Sequence, residues 1–175
     1  MADRQRERDD DYLIDRPNRD KGSSKTTKAI VVLILLVSVA LMVVVTLGGW
    51  NKLQGAKPVQ LGYILVYLIM AFYVTRWNRG VLPLAAALAI VLAIFAAVAG
   101  PGWFDRDRPG FAQPQGLFGL PHLDSNILGL LTLILLPVQI LLIAFSLQAF
   151  RQAWNVEVEV PAEKAGPNAF SPSAA

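Results

Sequence analysis

Cysteine is absent from the chain. Disulfides, thiolate metal sites and a cysteine nucleophile are therefore excluded, and thiols say nothing about the redox compartment. Histidine occurs once, at His122, too few for a zinc site, which needs three or four ligands at set spacing. No glycine-rich phosphate loop, H-E-x-x-H pair, G-x-S-x-G elbow or dinucleotide fingerprint is present. Charge is also scarce: 17% of residues carry it against 54% that are hydrophobic, the wrong balance for a soluble domain. The deepest absence lies inside the apolar runs, where no Asp, Glu, Lys, Arg or His sits well away from an end. Ion and proton pathways usually place such a group within the bilayer, because they need a site that binds or relays charge. An internal repeat with paired helix interruptions, common in transporters, is missing too: Pro137 has no counterpart, since Pro83 lies near a helix end.

What is present is hydrophobic length. The run 127–150 holds twenty-four residues without a charge; at about 1.5 Å per residue a helix of that length crosses a hydrocarbon core with tilt. Three more runs, 29–47, 59–77 and 81–99, have nineteen residues each and no acid, with only Arg76 near an edge. The fold class expected is an all-α integral membrane protein, four transmembrane helices in an antiparallel bundle, with no room for a second folded domain. In the second run Tyr63, Tyr67, Met70, Val74 and Trp77 form one large-residue face. In the third, Ala85, Ala89, Ala93 and Ala97 form a small-residue stripe suited to close helix contact, opposite a bulky face of Leu84, Leu88, Val91, Phe95 and Val98. The turn Asn78, Arg79, Gly80 is short enough to make the second and third helices adjacent.

The connecting segments carry the charge. Segment 1–28 holds eight Lys/Arg and seven Asp/Glu and is expected to be a disordered tail whose basic end rests on lipid headgroups. Its island Tyr12, Leu13, Ile14 is a weak docking motif. The first run exceeds a signal-peptide core and lacks an A-x-A site, so it is expected to stay as an anchor. The connection 100–126 is rich in Gly and Pro but also carries Trp103, Phe104, Phe111 and Phe118, which points to a loop lying against the bundle or the membrane. Segment 151–175 is expected to be a cytoplasmic tail with Trp154 at headgroup level; within it Val156 to Val160 alternate like a strand that Pro161 stops. Such a fragment has no stability alone. The Ala, Pro, Ser and Gly-rich remainder is expected to be disordered. Twelve Lys/Arg fall in the two tails and the second loop, and four in the first and third loops, so both termini are expected to be cytoplasmic in a plasma membrane. The basic residues flank membrane segments, so lipid and not nucleic acid is the expected partner of their charge. The Ala- and Arg-rich, cysteine-free composition is associated with bacterial proteins.

Candidate sites are few. Thr132, Gln139 and Ser146 recur every seven residues and form one polar line on the last helix. Gln139 lies near the midpoint of 127–150, as Ser38 does in 29–47 and Tyr67 in 59–77, so these residues are candidates for one mid-membrane polar layer, structural or solute-binding. On the third loop Asp105, Asp107, His122 and Asp124 are the candidates for acid–base or metal chemistry, with Arg106 and Arg108 more simply neutralising their neighbours. No cofactor or metal is expected. The expected function is a non-catalytic accessory or scaffolding subunit that engages a protein partner or a second copy of itself. The alternatives are an oligomeric small transporter or channel lined by the polar face of the last helix, and a membrane enzyme with its site on the outer loop.

Overall fold

The computed structural model of the protein describes residues 12–120, 122–166 and 169–170. The acidic stretch 9–11 and most of the Ser/Ala-rich C-terminal remainder lie outside these residues. In chain order the elements are β1 (Tyr12–Asp15), α1 (Pro17–Asp20), α2 (Gly22–Gly48), α3 (Lys57–Thr75), α4 (Val81–Phe104), α5 (Ser125–Arg151) and β2 (Val158–Pro161), with single 3-10 turns in the loops. Four helices, α2 to α5, are long and apolar enough to cross a membrane.

Their outer surfaces fit that solvent. Leu33, Leu65, Phe72, Ile94, Val98, Leu130 and Ile140 are all exposed, a continuous apolar belt that water would not tolerate but hydrocarbon does. The core between the helices combines Val31, Leu35 and Met42 of α2 with Tyr67, Met70 and Val74 of α3, Leu82, Ala85 and Ala89 of α4, and Leu135, Leu142 and Ala149 of α5.

Helix spacing follows residue size. The closest pair is α4 with α5; α2 packs on both α5 and α3. On α4 the buried small residues are Ala85, Ala89, Ala96 and Gly100, whereas Ala93 is half-buried and Ala97 exposed. A strict four-residue step drifts around a helix by about 40° per repeat, so the contact line moves back from Ala97 to Ala96. At Gly100 a Cβ would lie 2.5 Å from Cδ2 of Leu133 on α5, so any larger residue would have to push that side chain aside. The bulky face of α4 points largely to lipid.

Adjacency of α3 and α4 through their short turn proves a poor guide to packing. These two helices approach each other little, meeting through large side chains: the rings of Tyr63 and Phe95 stand edge to face at 6.3 Å, and the Tyr63 hydroxyl reaches the carbonyl of Leu88 at 3.5 Å. Bulk on both surfaces holds the backbones apart, while the alanine and glycine stripe of α4 turns to α5.

Two boundaries differ from the sequence reading. Helix α4 continues through Gly100, Pro101 and Gly102 to Phe104, although that triplet reads as a stop. Trp103 explains the extra turn: it is buried, and its ring lies so close to Gly49 that a Cβ there would sit 2.6 Å from Cη2. The second difference is at the termini. Residues 12–28, expected to be disordered, form β1, α1 and the first turns of α2, and the alternating fragment 156–160, expected to have no stability alone, contributes to β2. Strands β1 and β2 pair antiparallel, with Leu13 opposite Val160 and Ile14 opposite Glu159, and Phe170 adds a bridge to Ile14. Each fragment is too short to stand alone, and each supplies the partner that the other lacks.

Candidate functional site

The three mid-span polar residues meet. Gln139 of α5, Tyr67 of α3 and Ser38 of α2 are all fully buried. The Tyr67 hydroxyl donates to Oε1 of Gln139 at 2.9 Å; Nε2 of Gln139 donates to Oγ of Ser38 at 3.0 Å; and the Ser38 hydroxyl donates to the carbonyl of Ile34 one turn back at 2.8 Å. The donors run in one direction, from α3 through α5 into the backbone of α2, an order in which each bond polarises the next. Both ends of the Gln139 amide are engaged, which an amide in hydrocarbon requires.

The other two members of the heptad line do not join this layer. Each lies two turns away, about 10.5 Å along the helix. Thr132 turns its hydroxyl onto the carbonyl of Leu128 at 2.7 Å, satisfying itself within α5. Ser146 is fully buried and its hydroxyl has no partner among the described residues. Next to Thr132, where α3 and α4 diverge, a half-open cavity of about 320 Å³ is lined by Met42, Tyr63, Phe95, Trp103 and Leu135 among others. Among its lining residues Nε2 of Gln60 donates to the carbonyl of Met42 at 3.2 Å.

The outer-loop candidates are dispersed. Asp105 forms an exposed ion pair with Arg108 at 2.9 Å. Asp124 caps α5, accepting from the backbone N–H of Asn126 at 2.8 Å. His122 is exposed, and the side chain of Asp107 lies outside the described residues. No group of three His, Cys, Asp or Glu side chains converges among the described residues. Arg106, expected to neutralise its neighbours, instead lies over the ring of Trp103 at 4.2 Å, and burial lowers its pKa. The loop is tied to the bundle at Asn51, whose side chain accepts from the N–H of Gln115 at 2.7 Å and donates to the carbonyl of Gln113 at 3.4 Å. Phe118 nevertheless projects, 92% exposed.

Sequence reasoning missed the polar assembly at the opposite end of the bundle. Trp154, expected at headgroup level, is fully buried beneath the N-terminal segment. Its indole meets Trp77 edge to face at 5.1 Å and donates to Oε1 of Gln152 at 3.0 Å. Asn18 donates to the carbonyl of Ala153 at 3.1 Å and Nε of Arg19 to that of Trp154 at 3.0 Å; Nε of Arg79 donates to that of Phe150 at 2.8 Å. Phe150 lies in the last turn of α5, and Ala153 and Trp154 in the chain that leaves it, so these side chains fix the exit of the helix. Arg16 pairs with Glu157. The available signal was chemical: cations and an amide in one terminal segment, and a helix end in need of donors in the other.

The fold and the buried layer define a multi-pass membrane protein with four apolar helices. Comparison with family models, with characterised proteins and with solved structures returns no match.

Proposed function

We propose that the protein is a plasma-membrane component, an antiparallel four-helix bundle with both termini cytoplasmic, acting as a non-catalytic accessory or scaffolding subunit of a membrane complex. The observation that carries this reading is the closure of the polar layer. Gln139 is fully buried and its amide is engaged by Tyr67 and Ser38, so the most polar point at mid-bilayer serves helix register and offers no free group to a solute. The Lys/Arg asymmetry supports the orientation. The terminal segments, held together at one face, supply a preformed surface for a partner at low ordering cost.

The transporter reading keeps one observation in its favour, the hydroxyl of Ser146, buried and without a partner among the described residues. The test separates the two. Mild solubilisation of native membranes followed by native gel electrophoresis is expected to find the chain migrating with a stoichiometric partner, and that partner running at a smaller size when the chain is deleted. A lone species that, reconstituted in liposomes, passes a solute and loses the flux on Gln139→Leu would overturn the accessory role.

A further inference from the structure

Between α1, the first turns of α2 and the end of α3 lies an open cleft of about 520 Å³, lined by Arg16, Arg19, Asp20, Lys25, Lys28 and Trp77. Four of its six lining residues are cations. Asp20 lies 3.7 Å from Lys25 and Glu157 engages Arg16 at the rim, so positive charge remains in excess. Burial, followed by the charge of Arg16, lowers the pKa of Arg19, the mark of a cation crowded by another. The first turn of α2 contains no acid that would offset Lys25 and Lys28. The cluster is built: Arg19 is fixed by the carbonyl of Trp154, Arg16 by Glu157, and Lys28 stands over the Trp77 ring at 3.9 Å.

We propose that this cleft binds the phosphate of an anionic phospholipid headgroup. Depth selects a lipid over other anions. Lys28 immediately precedes the apolar run of α2, and Trp77 closes α3 where its apolar residues end, so both lie at headgroup level. Val32 and Leu36 continue the Lys25–Lys28 face of α2 one and two turns deeper. Leu36 is exposed, so an acyl chain attached to a phosphate in the cleft has an apolar surface to follow. The site needs only that the helices span a membrane, and holds whichever side the termini face.

Unlike Asn18 and Arg19, Lys25 and Lys28 hold no backbone carbonyl of the terminal assembly with their side chains among the described residues, so Lys25→Gln/Lys28→Gln tests binding without dismantling it. In detergent-purified full-length protein, calorimetric titration is expected to show dioctanoyl phosphatidylglycerol binding in preference to dioctanoyl phosphatidylcholine. The double variant is expected to weaken it about 25-fold, about fivefold for each cation beside an anionic headgroup. Lys52→Gln/Lys57→Gln, at the other end of the bundle, is expected to leave it unchanged. If the double variant does not fold, Lys25→Gln alone is expected to give the fivefold loss, since Lys25 is exposed. Equal affinity for the two lipids, or anionic binding untouched by the Lys25 and Lys28 changes, overturns the site. Glycerol 3-phosphate or inorganic phosphate binding as tightly as the lipid overturns the lipid assignment and leaves a soluble phosphate as the occupant.

Discussion

Tyr67 donates to Oε1 of Gln139 at 2.9 Å, with both side chains fully buried, and so ties α3 to a helix seventy-two residues further along the chain. Interhelical bonds in membranes contribute about 0.6–2 kcal/mol. Tyr67→Phe removes the donor and leaves a buried carbonyl oxygen, so it is expected to destabilise by that amount. In a Gln139→Leu background the same change is expected to cost nothing, because the oxygen is already gone. The coupling energy from a double-mutant cycle, measured by unfolding in bicelles, is the readout. Additive effects would mean that the two side chains do not bond.

The terminal strands are expected to cross-link in register. With no native cysteine, Leu13→Cys/Val160→Cys puts thiols on directly opposite residues of an antiparallel ladder, within disulfide reach. Mild oxidation should close this pair rapidly in membranes, and Leu13→Cys/Glu163→Cys slowly. Equal rates would show that the strands are not held.

Two helix ends carry non-glycine residues in the left-handed region, Trp77 at φ 63° and Ala153 at φ 50°. At Trp77 the N–H bonds to the carbonyl of Val74 and that of Asn78 to Tyr73, a pattern that usually puts glycine where this tryptophan stands. Ala153→Gly is expected to stabilise by a few tenths to about 1 kcal/mol, the relieved strain exceeding the added chain entropy. Trp77→Gly is expected to destabilise, because the ring between Lys28 and Trp154 is lost with the strain. Thermal melts of both variants check the opposite signs.

The four apolar helices were legible because hydrophobic length is a local property, and Ser38, Tyr67 and Gln139 could be grouped because the midpoint of a span is simple arithmetic. Heptad spacing placed Thr132 and Ser146 on the same face as Gln139 but carried no information on depth, and their hydroxyls find no place in the layer. Connectivity suggested a tight α3–α4 pair, yet side-chain volume decided the spacing and gave α4 to α5. The terminal assembly was hidden for a different reason. Tyr12–Asp15 and Val158–Pro161 are unremarkable four-residue fragments, and the buried position of Trp154 follows only when Arg19, Asn18 and Trp77 are seen to converge on the end of α5. A pairing across almost the whole chain leaves no local trace.

Side-specific labelling of single cysteines tests the central claim most directly, because the cysteine-free chain gives no background. Ser23→Cys and Glu163→Cys are expected to react with a membrane-impermeant maleimide only from the cytoplasmic face, and Gln113→Cys only from outside. Gln113→Cys labelling from the same side as Glu163→Cys would contradict the four-span arrangement with both termini cytoplasmic.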